Sequence, residues 1–373
     1  MSRIMTLEEF EKRYQEGLGR PLVLREWRTV AEDWLHRHSE GVGDYNPLYR
    51  DASYADHGRH HALVAAPSFL FSIDFGATAS IWGHIPEADV SMKDLSILYL
   101  GADIEWLRPV WVGDRVRSVQ TPVEVRRTHS RQLGEALVCT GRTDYYNHRA
   151  EIVATMHNHM LRFVNPGAGV ESSRPQPATR VAPDPLVWGR TRRGAEPRVW
   201  EDVHEGDLLP DLPKGTYTIT ELYLFSYGTL TMSRSRVVDE GTIDMGAGGR
   251  ADPEYARSSR AQAATFDYGP QRIAWLTQIV SDWMGDRGDL VSMSSQLRGP
   301  NLVGDTNTLS GRVTAVREQG GMGLVDISVA VVNQDGRETA TATATVRLPR
   351  AATPFEEPPV FGPSTAIESG VYG

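Results

Sequence analysis

The chain has 373 residues, a formal net charge of −9 and 40% apolar residues. This size and composition allow two domains with a core, and the acidic balance excludes a basic surface that coats nucleic acid. The single cysteine, Cys139, excludes an intramolecular disulfide and a cysteine-built metal site. Because no stretch approaches the roughly 20 apolar residues of a membrane span, and the amino terminus lacks an apolar signal segment, we expect a cytoplasmic protein.

Residues 1–163 are predicted to form a first domain with one long helix followed by strands. Pro67 suits the first turn of this helix, and Gly83 suits its end. The segments Val123–Arg126 and Glu135–Thr140 have strand character on either side of a turn, which predicts a hairpin.

A change of composition separates this domain from a second one. Residues 164–197 are rich in Pro, Gly, Ser and Arg and lack apolar periodicity, which predicts a linker. We therefore expect a second domain over residues 198–349 and an irregular tail over residues 350–373.

The second domain repeats the order of elements seen in the first. Apolar residues recur at helical spacing between Pro270 and Gly285, on a stripe broad enough for a helix buried on most sides. Strands are predicted at Gly311–Val316 and Leu324–Val332, around a glycine-rich turn. One helix wrapped by an antiparallel sheet is an α+β unit, and two such units can pair their sheets edge to edge.

Three sequence pairs recur in the same order in the two halves, which indicates an internal duplication. The pairs are Asp51-Ala-Ser-Tyr-Ala55 with Asp252-Pro-Glu-Tyr-Ala256, Arg108 to Asp114 with Arg298 to Asp305, and Asn147 to Arg162 with Asn333 to Arg347.

The segment Gly43-Asp-Tyr-Asn-Pro-Leu-Tyr49 resembles the signature of hydratase 2, the MaoC-like (R)-specific enoyl-CoA hydratases and dehydratases. The later motifs at Asp51, Pro67 and Arg108 fit the same family in order, most closely its tandem acyl-dehydratase branch. The resemblance implies a double hotdog fold, an acyl thioester bound between the halves and one working site per fused pair. It implies no cofactor and no metal.

In the family, the Asp and His of the signature handle the protons, and backbone N–H groups at a helix start face the thioester oxygen. Asp44 matches the aspartate, but Tyr49 occupies the histidine position. Three alternatives follow. Tyr49 acts as the acid, or a histidine of the loop 56–61 replaces the missing one, with His61 as our candidate, or the first half is catalytically silent.

Substrate-binding candidates lie in both halves. In the second half, Asp267 is expected either to take part in catalysis or to cap the following helix, and Arg272 either to pair with Asp267 or to meet an anionic group of the substrate. The candidates for substrate contact are Asn46, Ser68, Tyr268, Gly269 and Arg272. Asn46 is also expected to brace its loop.

Two groups of arginines are candidates for the phosphates of coenzyme A, although a solvated surface explains them equally. They are Arg126, Arg127 and Arg131, and Arg257 with Arg260.

The leading function is a hydro-lyase that hydrates enoyl thioesters or dehydrates 3-hydroxyacyl thioesters. The alternatives are thioester hydrolysis or cyclisation on the same scaffold, and a non-catalytic acyl-thioester-binding or partner subunit. The expected partner is an acyl-CoA or acyl-carrier thioester, with neither nucleic acid nor membrane. A homodimer of double hotdogs is compatible with the resemblance.

Overall fold

The computed structural model describes residues 3–23, 25–84, 90–91, 94–130, 133–164, 192–229, 250–253, 256 and 264–351. Most of the predicted linker, nearly all of the predicted tail and three of the candidate arginines (131, 257 and 260) lie outside these ranges. Within them, no helix is long and apolar enough to cross a membrane. The domain boundaries stay predictions.

Over the described residues, the first half forms five helices and eight strands. In chain order it forms β1 (Arg3–Ile4), α1 (Leu7–Glu16), β2 (Leu22–Val23), β3 (Arg28–Thr29), α2 (Glu32–Val42), α3 (Ala52–Asp56), α4 (Leu70–Ile73), α5 (Thr78–Trp82), β4 (Val90–Ser91), β5 (Leu95–Trp106), β6 (Arg115–Ser130), β7 (Gly134–Asn147) and β8 (Ile152–Val164), with 3₁₀ turns at Pro47–Tyr49 and Pro67–Phe69.

The second half adds two helices and five strands to the described fold. These are β9 (Leu208–Thr216), α6 (Ile219–Thr229), α7 (Gly269–Met284), β10 (Asp289–Leu297), β11 (Thr306–Gln319), β12 (Met322–Asn333) and β13 (Glu338–Leu348), preceded by a 3₁₀ turn at Trp200–Asp202.

One 11-stranded sheet runs through both halves, in the order β2-β6-β7-β8-β5-β10-β13-β12-β11-β9, with β3 also paired to β6. The halves join where β5 and β10 run antiparallel, with Ser292 opposite Glu105 and Ser294 opposite Asp103. The predicted edge-to-edge pairing is therefore confirmed, and it leaves neither half with a free strand edge at the junction.

Helix α7 is the centre of the second half. Pro270 lies in its first turn, where a missing N–H costs nothing, and Gly285 ends it with a φ of 74°. Every residue from Pro270 to Met284 is buried, because the helix packs against β9 to β13 and also against β5 of the first half. The breadth of the apolar stripe predicted this burial correctly.

The corresponding helix of the first half is interrupted, so the continuous helix expected from Pro67 to Gly83 is wrong. Asp74 is extended, with φ −158° and ψ 130°, and Gly76 has a φ of 73°. A Cβ at Gly76 would come within 2.2 Å of the Met156 side chain, so only glycine fits this break.

Polar side chains on the inner face of the sheet replace the helical hydrogen bonds that the break removes. The Asp74 carboxylate accepts a bond from the Gly76 N–H at 3.0 Å and another from the Ser118 hydroxyl. The Asn158 amide and the Thr143 hydroxyl donate to the Gly76 carbonyl. Since Ser118, Thr143 and Asn158 are fully buried, this part of the core is a satisfied polar network rather than an apolar one.

Helices α2 and α6, one from each half, are in backbone contact at a pair of glycines. A Cβ at Gly228 would come within 2.2 Å of the Arg37 carbonyl oxygen, and one at Gly41 within 2.8 Å of the Leu224 carbonyl oxygen. The crossing therefore has no room for a methyl group on either helix.

We expect Gly228→Ala to lower the free energy of unfolding by about 1–3 kcal/mol, the usual cost of overpacking. The overlap with a backbone oxygen outweighs the better helix propensity of alanine, which is worth at most about 1 kcal/mol. Urea unfolding measures the change. Gly299→Ala is the matched control, because a Cβ there meets no atom within 4 Å. Equal stability of the two variants would contradict the close contact between α2 and α6.

Candidate active site

A cavity of about 110 Å³ lies between the first half and the carboxyl end of α7. Its apolar wall includes Phe69, Leu70, Trp106 and Met284. Polar groups on its wall come from both halves and include Asn46, Tyr49, Arg59, His60, Arg108, Ser281, Asp286 and Asp289. A concave, partly apolar space with convergent polar groups is a candidate small-molecule site.

The loop that carries Asp44, Asn46 and Tyr49 is folded by its own side chains. Helix α2 ends at Gly43, which has a φ of 69°. The Asp44 carboxylate accepts the Asn46 N–H at 3.2 Å, and the Asn46 side-chain oxygen accepts the Leu48 N–H at 3.1 Å. Asn46 therefore braces the loop while it lines the cavity, and Asp44 and Tyr49 are almost fully buried.

The second half holds the start of this loop. The Lys214 ammonium donates to the Val42 carbonyl and to the side-chain oxygen of Gln278, both at 2.9 Å. The Gln278 amide in turn donates to the Gly43 carbonyl at 3.1 Å. Two residues of the second half thus satisfy carbonyls that the end of α2 leaves open.

Tyr49 is a neutral phenol in this site. Burial raises the pKa of Tyr49 well above its usual value, and the negative charge of Asp44 raises it further. Asp286 and Asp282 act in the same direction, and the Ser281 hydroxyl opposes them. The side chain is therefore a hydrogen-bond or proton donor at neutral pH, with the Asp44 carboxylate close by.

The structure brings His60 to the cavity rather than His61. The His61 side chain is exposed, and its Nδ1 lies 3.0 Å from the Asp56 carbonyl oxygen. The His60 ring lines the cavity, and its Nε2 accepts a hydrogen bond from Arg59 Nε at 3.3 Å. Any catalytic role of His61 stays a prediction, whereas His60 already lies on the cavity wall.

Ser68, a substrate-binding candidate, lies beside the cavity in a buried chain of hydrogen bonds. Its hydroxyl is 2.9 Å from His38 Nε2, and the Ser72 hydroxyl is 2.9 Å from Nδ1 of the same ring. Burial lowers the pKa of His38 to about 3, so the ring is neutral. Ser68 supports the segment that lines the cavity, and its contact with substrate stays a prediction.

Comparison with known proteins places the dehydratase signal in the first half. Residues 22–156 match the family model described as FAS1-like, dehydratase domain region. A probable enoyl-CoA hydratase alpha subunit of Thermomonospora curvata is 30% identical over 172 residues, 43% of this chain and 53% of the relative. A UPF0336 protein of Streptomyces coelicolor is 30% identical over 25% of this chain and 59% of the relative. The chain thus spans about half the length of these two curated relatives.

Solved structures extend the likeness to nearly the whole chain. A MaoC-like dehydratase has a TM-score of 0.67 at 18% identity, covering 90% of this chain and 99% of that one. A Mycobacterium tuberculosis protein described as a double hotdog has a TM-score of 0.59 at 13% identity, covering 90% and 97%. The chain has the double hotdog fold of these structures. The predicted α+β double hotdog fold is confirmed.

In the second half of this double hotdog, Asp267 and Arg272 form a buried ion pair. Arg272 Nε is 2.6 Å from the Asp267 carboxylate, with both side chains almost fully buried. Arg272 also donates to the carbonyls of Gly299 and Thr339, at 2.7 and 2.6 Å. The expected helix cap is wrong, because Tyr268 is the N-cap residue and makes no side-chain bond there.

Tyr268 and Gly269 begin α7, at the end of the helix opposite the cavity. The Tyr268 ring packs against Phe75 and Phe225, with centroids 5.9 Å apart in each case. A Cβ at Gly269 would come within 2.2 Å of the Leu297 side chain. Since a 16-residue helix is about 24 Å long, the predicted site residues fall into two separate groups. The second group consists of Asp267, Tyr268, Gly269 and Arg272, and the roles of these residues in catalysis or substrate binding stay predictions.

The remaining candidates lie on the surface. Arg127 on β6 is 2.6 Å from Glu11, and Arg126 is mostly exposed, so contact with coenzyme A phosphates stays a prediction. Over the ranges that the structure describes, no group of His, Cys, Asp and Glu side chains is arranged to hold a metal ion.

We expect Asp267→Asn to lower the free energy of unfolding by about 3–5 kcal/mol, because it leaves the Arg272 charge buried and unpaired. The half-exposed pair of Arg317 and Asp326, 2.9 Å apart, gives a matched control. Asp326→Asn should cost less than about 1 kcal/mol. A stable but inactive Asp267→Asn variant would instead favour the catalytic role.

Proposed function

We propose that the chain is a hydro-lyase that adds water to 2-enoyl thioesters or removes it from 3-hydroxyacyl thioesters. The observation that carries the proposal is the position of the Asp44–Tyr49 loop, within the matched dehydratase region, beside a cavity with an apolar wall. The relative named as an enoyl-CoA hydratase subunit supports the same chemistry. The acyl group would lie against Phe69, Leu70 and Met284.

In the hydration direction, the Asp44 carboxylate takes a proton from water as the water oxygen bonds to C3. The electron pair of the double bond moves toward C2 and the thioester oxygen, and C2 takes the Tyr49 phenol proton. Asp44 then returns its proton to the tyrosinate, so both residues end as they began. Dehydration is the reverse. In this scheme the Tyr49 phenol takes the acid role that an imidazole would otherwise have.

We expect Asp44→Asn to lower kcat for crotonyl-CoA hydration by about 100- to 10,000-fold, the usual contribution of a positioned base. The loss of enoyl absorbance follows the reaction, and thermal melting checks the fold. Asp33→Asn, on the exposed side of α2, is the matched control and should be as active as the wild type. Full activity of Asp44→Asn would move the base to Asp286, a carboxylate on the cavity wall whose charge also acts on Tyr49.

We expect Tyr49→Phe to be nearly inactive and Tyr49→His, which restores the family signature, to retain turnover. Because an imidazole has an ordinary pKa near 6.5, the His variant should also gain a pH dependence between about 5 and 8 that the wild type lacks. A pH–rate profile measures the difference. Equal activity of the Phe variant and the wild type would remove Tyr49 from the mechanism.

A second candidate is a non-catalytic subunit that binds acyl thioesters for a partner hydratase. Tyr49 at the histidine position favours this non-catalytic function, as do the words "alpha subunit" in the name of one relative. Calorimetric binding of crotonyl-CoA without loss of enoyl absorbance or release of thiol would support this function. Release of thiol would instead indicate hydrolysis. Assembly as a homodimer stays a prediction, which sedimentation tests directly.

A further inference from the structure

His60 is held in the cavity by a chain of groups from the other half of the protein. Arg59 pairs with the Asp289 carboxylate and donates to the Gly288 carbonyl at 3.2 Å. Arg347 binds the same carboxylate at 2.9 Å. Because these contacts fix the Arg59 guanidinium, its Nε is directed at the His60 ring. The edge of Trp111 packs on that ring, with centroids 6.3 Å apart.

The bond from Arg59 decides where the imidazole carries its proton. An arginine side chain only donates hydrogen bonds, so Nε2 of His60 must accept one and the proton must lie on Nδ1. Nδ1 is buried and has no hydrogen-bond partner among the described residues. By contrast, the ring nitrogens of His57 and His61 bond to backbone carbonyls.

The ring is also kept neutral. Burial lowers the pKa of His60 to about 3, and the charges of Arg59 and His61 lower it further. A neutral imidazole with its proton on Nδ1 is a hydrogen-bond donor that carries no charge into the site. The titratable and charged groups that share the cavity with it are Tyr49, Arg59, Arg108, Asp286 and Asp289.

The interrupted helix of the first half offers few backbone hydrogen-bond donors to the cavity. The helix start at Pro67 has no N–H at its first position, and the helix is interrupted after Ile73. Few aligned peptide dipoles therefore face the cavity from this helix. A side-chain donor on the opposite loop would supply what the shortened helix lacks.

We propose, on the basis of the hydro-lyase function above, that His60 is a catalytic residue whose Nδ1–H donates a hydrogen bond to the thioester oxygen. As the double-bond electron pair shifts toward that oxygen, the N–H stabilises the enolate-like charge. The proton stays on nitrogen throughout. When the pair returns to C2 and C2 takes its proton from Tyr49, the hydrogen bond weakens and no proton has left His60.

Turnover of crotonyl-CoA gives the first test. We expect His60→Ala to lower kcat by about 100- to 1,000-fold, the usual cost of removing one oxyanion donor, with little change in KM. His60→Gln, which keeps an N–H donor, should recover part of the loss. His129→Ala, on the exposed β6–β7 hairpin, is the matched control and should equal the wild type.

Two spectroscopic readouts separate donation from a purely structural role. Wild type should raise the enolate absorbance of bound acetoacetyl-CoA, and His60→Ala should not. Nitrogen-15 NMR of labelled histidines should place the His60 proton on Nδ1, with no titration between about pH 5 and 8. A proton on Nε2, or titration near 6.5, would overturn the proposal.

The failures of the two proposals are distinguishable. A wild type that neither hydrates enoyl-CoAs nor binds acetoacetyl-CoA overturns the hydro-lyase function and this inference with it. An active wild type whose His60→Ala variant has the same kcat and the same enolate absorbance overturns the role of His60 alone. Loss of activity in His61→Ala instead would move the donor to the neighbouring residue.

Discussion

The pairing of β5 with β10 is the constraint on which the rest of the molecule depends. It fuses two sheets into one and brings the end of α7 against the first half's loop. The cavity has no complete wall within either half, since Tyr49 comes from one and Asp286 from the other. Any motion that separates the two sheets would therefore also open the cavity.

The sequence predicted the features that depend on residues close together in the chain. Duplication, strand order and the burial of α7 follow from repeats, alternation and the width of an apolar stripe. Asp44 and Asn46 were found because the loop signature is contiguous in sequence. The partners that hold this loop were not found, because Lys214 and Gln278 are more than 170 residues away and carry no motif. Contacts of that kind exist only once the halves are docked.

Two features that the sequence did not predict have a common origin. The interruption of the first half's helix and the position of His60 on the cavity wall both depend on side chains of a neighbouring strand or of the other half. Asn158 and Thr143 look like ordinary strand residues, yet they satisfy the backbone carbonyl of Gly76 where the helix breaks. Which of two adjacent histidines turns inward depends on Arg59 and its partner Asp289. Periodicity carries no information about either.

The central helices of the two halves differ, although the halves repeat each other in sequence. The second half has a continuous, fully buried central helix, whereas the first half replaces backbone bonds at the break by bonds to polar side chains. Loss of the Asp74 carboxylate would take away the acceptor of the Gly76 N–H. A protein made of two identical copies of either half would therefore contain only one of these two kinds of central helix.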